Sequence, residues 1–273
     1  MGGGFLQKRR LGQTELMVSP IGLGTVKFGR NQNVKYPQTF SLPDDKMIAD
    51  LLVLCSDLGI NLLDTAPAYG ESETRLGKML RKKRHQFVIV SKAGERFIDG
   101  QSYFDFSQRA IIESIDQSLK NLQTDYIDVL LIHSNGDDIS IIEHDRVFET
   151  LRFCQQSGKI RAFGMSTKTI DGGLLTIDQA DCAMVTFHRN ETHELPIIQA
   201  AAKKGKGVLV KKPFASGHLL ASTNVRESLA FILKEPGVTS VIMGTINPIH
   251  LKENASSINT FGNFPDHPLF SRV

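Results

Sequence analysis

Four polar residues of different chemistry stand close together in the chain, each beside a short apolar run. Asp64 closes Asn61-Leu62-Leu63-Asp64-Thr65-Ala66, and Tyr69 follows five residues on in Pro67-Ala68-Tyr69-Gly70. Lys92 closes Val88-Ile89-Val90-Ser91-Lys92, and His133 closes Asp128-Val129-Leu130-Leu131-Ile132-His133. Singly, a charged residue at a strand end marks only where a core meets water. Together, an acid, a phenol, an amine and an imidazole on one rim suit carbonyl reduction. Hydride addition to a carbonyl leaves an alkoxide that needs a proton, and Tyr69 can supply it. A phenol titrates near about 10, so a neighbouring ammonium such as Lys92 is expected to bring it towards working pH. Asp64 would hold Lys92 charged, and His133 would donate a hydrogen bond to the carbonyl oxygen.

The elements that must position these residues follow a regular alternation. Apolar, β-branched runs predict strands at Ile21–Val26, Asn61–Thr65, Phe87–Lys92, Tyr126–His133, Arg161–Ser166, Ala183–Phe187, Val208–Lys211 and Val241–Gly244. Each is a near-continuous apolar stretch, as in a parallel sheet buried on both faces. Between them, Met47, Ile48, Leu51, Cys55 and Leu58, then Ile111, Ile115, Leu119 and Leu122, recur at helical spacing. Ser107 is placed to cap the second helix, Gly158 to end a later one, and Asn247-Pro248 to open the last. Eight strands alternating with helices predict an α/β fold, a closed (β/α)8 TIM barrel, with residues 5–20 as a β-hairpin plugging its floor. One domain, 1–273, is expected, with a core at about 20–258 and a short tail at 259–273. Two long loops, Gly29–Asp44 with Tyr36 and Phe40, and Gly94–Phe106 with Phe97, Tyr103, Phe104 and Phe106, would either wall a pocket or pack onto the barrel.

Composition excludes several classes. At 273 residues, the chain can bury a large core without disulfides or metal. Its net charge of +3 is dispersed, and the basic run Arg81-Lys82-Lys83-Arg84 reads as a solvated helix end, so no nucleic-acid partner is expected. Cys55, Cys154 and Cys182 are scattered and read as buried small hydrophobes in a reducing compartment. Met1-Gly2-Gly3-Gly4 carries no apolar secretory core, and no stretch is long enough to span a bilayer. A cytoplasmic location and no membrane partner are therefore expected. The histidines His85, His144, His188, His193, His218, His250 and His267 show no metal-ligand spacing, and no metal is expected. His188, near the end of the sixth strand, is a candidate substrate contact.

These residues carry a resemblance. From Arg10-Leu11-Gly12-Gln13-Thr14 and Ile21-Gly22-Leu23-Gly24-Thr25 to Lys252-Glu253-Asn254, the chain resembles the aldo-keto reductases. The segments around Asp64 and Tyr69, Lys92 and His133 are the most specific, and Lys159-Ile160-Arg161-Ala162-Phe163-Gly164-Met165-Ser166 matches the fifth strand. The resemblance implies that Asp64, Tyr69, Lys92 and His133 form the catalytic tetrad, with Tyr69 as proton donor to a carbonyl or alcohol substrate. It also implies direct hydride transfer from NADP(H), with NAD(H) possible, bound without a G-x-G-x-x-G fingerprint.

Cofactor contacts carry over less evenly. The resemblance places Gly24 and Thr25 on the first strand, and Ser166 and Thr167 at the carboxamide, Thr167 standing where Asn is usual. Thr186 stands for a common Gln, and Lys211 for the aromatic ring that faces the nicotinamide, with Lys212 and Pro213 beside it. The phosphate and adenine side is implied at Gly244, Thr245, Asn247, His250, Glu253 and Asn254, where Gly244 and His250 replace the usual Lys and Arg. That loss should weaken selectivity for a 2′-phosphate. The Lys211 cation would either disfavour the oxidised ring or turn away to bind phosphate. Phe104-Asp105-Phe106-Ser107 resembles the subgroup that oxidises sugars, and Phe261, Phe264 and Phe270 are candidates for shaping the pocket or for packing.

Two rival readings keep the barrel. In one, Lys92 forms a Schiff base as in an aldolase or dehydratase; this leaves Tyr69, Gly24, Ser166 and Asn254 without a joint task. In the other, the barrel binds nicotinamide as a sensor or regulatory subunit with little turnover, as the changes at Thr186 and Lys211 would allow.

Overall fold

A computed structural model describes residues 6–219 and 224–259. Twelve strands lie among the described residues: β1 (Arg9–Arg10), β2 (Met17–Val18), β3 (Ile21–Gly24), β4 (Leu62–Asp64), β5 (Val88–Ala93), β6 (Glu95–Ile98), β7 (Gln101–Phe104), β8 (Ile127–His133), β9 (Ile160–Ser166), β10 (Cys182–Thr186), β11 (Gly207–Lys211) and β12 (Val238–Met243). The α-helices are α1 (Val26–Gly29), α2 (Asp45–Asp57), α3 (Ser72–Leu80), α4 (Gln108–Leu122), α5 (Asp138–Glu143), α6 (Val147–Gln156), α7 (Ile170–Gln179), α8 (Leu195–Lys204), α9 (Val225–Leu233) and α10 (Pro248–Asn259).

Eight strands close a parallel barrel in the order β10-β11-β12-β3-β4-β5-β8-β9. The expected (β/α)8 architecture is therefore present, and all eight predicted strands fall on the barrel, with ends shifted by a few residues. Val26 is a correction: it opens α1 rather than closing β3. The floor hairpin is also present, as β1 paired antiparallel with β2.

Strand parity divides the core into two layers, because successive side chains point to opposite faces. Leu62, Val88, Val90, Val129, Leu131, Ala162, Cys182, Met184, Leu209 and Ile242 form one buried cluster with Leu11, Leu16 and Val18 of the hairpin segment. The alternate residues, Leu63, Ile89, Leu130, Ile132 and Val210 among them, pack in a second cluster with Ile48, Ile111, Leu151, Ile197 and Leu229 of the helices. The first cluster fills the barrel and the second joins it to the helical ring.

Local signals set the helix ends. The side chain of Asp44 accepts from Met47 N at 2.7 Å, and that of Ser107 from Ala110 N at 3.3 Å, so both cap helix N-termini. Gly158, one residue beyond the C-cap of α6, has φ +78°. Asn247 Oδ1 accepts from Ile249 N at 2.9 Å at the start of α10.

The segment expected as a long loop carries regular structure. Gly94–Phe106 is largely a hairpin: β6 pairs antiparallel with β7, from Glu95 opposite Phe104 to Ile98 opposite Gln101. The two-residue turn is Asp99-Gly100, with φ +50° and +80°. An Asp-Gly pair with both φ positive is a favoured hairpin turn, so the signal was in the sequence. Burial alternates along β6, so Glu95 and Phe97 face inwards while Arg96 and Ile98 face solvent.

Candidate active site

The parity that fills the barrel also builds the site. Asp64 is two residues beyond Leu62, Lys92 two beyond Val90, and His133 two beyond Leu131, so each continues an inward-facing row past the last apolar layer. Ser166, Thr186 and Lys211 extend their strands in the same way. Register confirms their adjacency: Asp64 lies beside Val90, His133 beside Ser166, Ser166 beside Met184, and Thr186 beside Lys211.

Lys92 donates from Nζ to Asp64 Oδ1 at 2.5 Å and to the Thr65 carbonyl at 2.9 Å. Both members of the pair are buried, with side-chain exposures of 2% and 7%. Burial lowers the Lys92 ammonium, but Asp64 and Tyr69 outweigh it and raise it above its ordinary range. Lys92 Nζ also stands 4.8 Å from the centre of the Tyr69 ring.

Tyr69 ends a 3-10 turn, Pro67–Tyr69, that follows β4. The turn is held from several sides. Tyr69 N donates to the Ala66 carbonyl at 3.0 Å, and Arg30 Nη1 donates to the Ala68 carbonyl at 3.1 Å. Glycines permit the close approach: a Cβ on Gly29 would stand 2.4 Å from the Tyr69 carbonyl oxygen, and one on Gly70, at φ +59°, 2.3 Å from the Gly29 carbonyl oxygen. Burial drives the Tyr69 phenol above its ordinary range, and the pull of Lys92 does not reverse it. Lys92 pulls the phenol down, in the expected direction, without bringing it back to its ordinary range. Burial outweighs the cation, and Tyr69 rests as a neutral hydroxyl, the form that holds a proton to give.

His133 meets Tyr69 edge to face, with ring centres 6.4 Å apart. Its Nδ1 lies 2.6 Å from Glu95 Oε2. The carboxylate sits off the line of an N–H bond, so this is an ion-pair contact more than an aligned hydrogen bond. Burial lowers the imidazole below its ordinary range; Glu95 opposes this, and Lys92 and Lys211 add to it. Glu95 was missed in the sequence because it falls in the segment read as loop.

The residues implied for a nicotinamide cofactor take varied places. Gly24 faces the barrel interior, where a Cβ would lie 3.0 Å from Ile242 Cγ2. Thr25 has the opposite parity: its Oγ1 donates to the Asp64 carbonyl at 2.9 Å and meets Ser72 Oγ at 2.8 Å. Its hydroxyl is therefore committed to joining β3, β4 and α3 and does not face the mouth. Lys211 does not turn away. Its Nζ donates to Ser166 Oγ at 2.8 Å and to the Thr167 carbonyl at 3.1 Å. Burial, with Lys212, Lys92 and Lys168 nearby, lowers it to about 8 against the opposing pull of Glu194. Glu194, absent from the sequence expectation, is buried and accepts from Thr186 N at 2.6 Å. Lys212 is exposed with φ +54°, and Pro213 is buried.

Beyond β12, Gly244 leaves room beside the mouth loop, since a Cβ there would lie 2.7 Å from Tyr36 Oη. Thr245 Oγ1 accepts from Asn247 N at 3.1 Å, and Asn247 Nδ2 lies 3.5 Å from His250 Nε2. Asn254 is buried, whereas His250 and Glu253 are exposed. His188 is buried. Phe106 is buried and stacks on Phe104, with ring centres 6.1 Å apart. Phe261, Phe264 and Phe270 lie outside the described residues.

The arrangement fits a bound nicotinamide cofactor on one structural ground. Thr167 Oγ1, Glu194 Oε1 and His188 Nδ1 are buried without a hydrogen-bond partner around the ends of β9 and β10. Buried polar atoms are normally satisfied, so these three, of which Thr167 and Glu194 belong to residues acting on Lys211, leave donors and acceptors for a ligand's polar edge.

A closed parallel barrel whose C-terminal rim carries a buried Lys–Asp pair, a neutral phenol and an imidazole is the architecture of a barrel enzyme. Comparison with known proteins gives the family. The sequence pattern of the Aldo/keto reductase family matches residues 20–228. The chain is 29% identical to the uncharacterized oxidoreductase YqkF of Bacillus subtilis, over 93% of this chain and 92% of that one. It is 26% identical to the NADH-specific methylglyoxal reductase of Escherichia coli, over 93% and 94%. A crystal structure of a Pseudomonas aeruginosa protein assigned to the aldo-keto reductases superposes with a TM-score of 0.85 at 49% identity, over 93% of this chain and 95% of that one. The chain belongs to the aldo/keto reductase family and is an oxidoreductase.

Proposed function

We propose that this protein reduces a small carbonyl compound, an aldehyde, ketone or aldose, to the alcohol with NAD(P)H, and runs the reverse oxidation on the same site. The observation that carries the reading is the buried Lys92–Asp64 pair set against the neutral Tyr69 hydroxyl. The nicotinamide supplies the hydride when bound. Tyr69 passes its hydroxyl proton to the oxygen that becomes the alcohol, and Lys92 stabilises the phenolate left behind. Asp64 keeps Lys92 charged, and His133 orients the carbonyl oxygen. Ser166, Thr167 and Lys211 would hold the carboxamide end, and residues 244–254 the adenine and phosphate end.

Relatives are named as a methylglyoxal reductase, an L-galactose dehydrogenase and a D-arabinose dehydrogenase. Those names support a small, polar carbonyl or sugar substrate. On the phosphate side, His250 stands where a bidentate guanidinium would read a 2′-phosphate. NADPH and NADH are therefore expected to bind within about tenfold of each other, a difference of about 1.4 kcal/mol.

The test is a titration of the protein with each reduced cofactor, followed by nicotinamide fluorescence, together with turnover of Tyr69→Phe on an aldehyde panel. Micromolar binding and loss of turnover in Tyr69→Phe, with binding kept, are expected. Turnover that survives in Tyr69→Phe would sink the assignment of the proton donor. Binding without turnover in the native chain would favour the regulatory barrel, which the hold of Lys211 on Ser166 makes a concrete rival.

A further inference from the structure

His133 has two ring nitrogens, and only one faces the site. Nδ1 is turned to Glu95 at 2.6 Å, which leaves Nε2 for the mouth. The carboxylate lies off the N–H line, but it still sets a negative charge beside Nδ1, so a proton is favoured on that nitrogen. A neutral ring with its proton on Nδ1 presents Nε2 as a bare acceptor. With Nδ1 protonated, only the doubly protonated ring can donate from Nε2. A neutral His133 with its proton on Nδ1 therefore cannot donate to the carbonyl oxygen.

Glu95 is built to play that part. It faces inwards on β6, with its side chain 11% exposed. Its other oxygen accepts from Ser102 Oγ at 2.5 Å, on the facing strand β7. Burial pushes the carboxyl up, but His133, Ser102 and Arg30 outweigh it and hold it at about 2, so it is ionised throughout the working range. Arg30 is in turn fixed, stacked 3.4 Å from the centre of the Phe97 ring and bonded to the carbonyls of Gln32, Ala68 and Asn33. The same hairpin packs against the turn that carries Tyr69. Glu95 thus reaches the tetrad from an element outside the barrel.

We propose that Glu95 is a positioning residue that holds a proton on Nδ1 of His133, so that Nε2 donates to the reacting oxygen only when the ring is an imidazolium. This rests on the reductase reading for its consequence but not for its tautomer. In carbonyl reduction, the imidazolium donates from Nε2 to the developing alkoxide while Tyr69 transfers the proton. In alcohol oxidation, the neutral ring accepts at Nε2. The charged and titratable groups acting on His133 are Glu95 from the hairpin, Lys92 from β5 and Lys211 from β11, with the Tyr69 phenol at its edge. Glu95 favours the imidazolium, and the two lysines with burial oppose it. Carbonyl reduction should therefore decline as pH rises through a value below the ordinary imidazole range, and removal of Glu95 should move that decline to still lower pH.

The experiment uses the full chain and Glu95→Gln, with Glu95→Asp as the variant that keeps the charge. Long-range nitrogen–proton NMR correlations assign the His133 tautomer without any turnover, with His133→Asn identifying the signals. The native protein above its His133 titration is expected to show the proton on Nδ1, and Glu95→Gln to shift it towards Nε2. In steady-state reduction of an aldehyde, Glu95→Gln is expected to lose about tenfold or more in kcat. Its KM should change little and its pH limb should move down, with Glu95→Asp restoring part of each. A native ring protonated on Nε2, or a Glu95→Gln variant with an unchanged tautomer and pH limb, would overturn the proposal. A native chain that turns over no carbonyl would overturn the reductase reading alone, since the spectrum still reads the tautomer.

Discussion

At the scale of single residues, the site is governed by competition between burial and neighbouring charge. Lys92 remains an ammonium because Asp64 is 2.5 Å away, whereas Tyr69, buried beside that cation, still keeps its proton. Lys211 shows the opposite balance. Its ammonium is bonded to the Ser166 hydroxyl and the Thr167 carbonyl rather than to a carboxylate, and burial brings it to about 8. Its sign of action follows. Below about 8 it is a cation beside Ser166 and Thr167, and on the proposed cofactor reading it would repel the positive ring of an oxidised nicotinamide more than the neutral reduced ring. Above that value the repulsion is gone. The affinity for oxidised cofactor relative to reduced is therefore expected to rise, about three- to tenfold, between roughly pH 7 and roughly pH 9. Lys211→Met should make that ratio insensitive to pH. Equilibrium titrations of both cofactor forms at the two pH values check this, and a pH dependence retained in Lys211→Met would assign it to another group.

At the scale of elements, each barrel strand supplies a residue by parity, but the loops that complete the site need their own supports. Asp138, at the start of α5, is the clearest. Its Oδ2 accepts from Lys168 N at 2.9 Å, Thr169 N at 2.7 Å and Thr169 Oγ1 at 2.8 Å, which fixes the loop that follows Ser166 and Thr167. Ser134, just after His133, donates to its other oxygen. Removing a buried carboxylate with several partners leaves those donors stranded. Asp138→Ala should cost roughly 3 kcal/mol, lower Tm by about 10 °C, and weaken cofactor binding. Asp138→Asn, which can still accept, should lose less of each. Thermal unfolding alongside the cofactor titration tests it; full stability in Asp138→Ala would show that the loop is held elsewhere. No sequence pattern marked Asp138, because its partners are backbone groups thirty or so residues away in Lys168 and Thr169.

At the scale of the whole molecule, stability and chemistry sit at opposite ends of the barrel. The hairpin segment plugs the floor: Leu11 is fully buried in the inner cluster and lies over Gly207, where a Cβ would stand 2.4 Å from Leu11 Cδ1. Gly207 and Lys211 are the two ends of β11, roughly 13 Å apart at strand spacing. Leu11→Ala should thus cost about 3 kcal/mol while leaving kcat unchanged below its melting range. Thermal unfolding with kcat measured at a permissive temperature checks both halves, and a fall in kcat would show that the floor and the rim are coupled. Among the described residues, no helix is long and apolar enough to cross a membrane.

The sequence by itself determined the barrel, its plugging hairpin and the placement of Asp64, Lys92 and His133 at strand ends. Those features are local: apolar runs, helical spacing and the alternation of side chains are written in consecutive residues. Tertiary structure alone decided the rest. That Thr25 serves the scaffold depends on Ser72, and that Lys211 grips Ser166 depends on a strand two places along the sheet. That His133 answers to Glu95 depends on a hairpin folding back over the mouth. Charge states in a buried site are set by what lies within a few ångströms in space, and those neighbours are brought together only when the barrel closes.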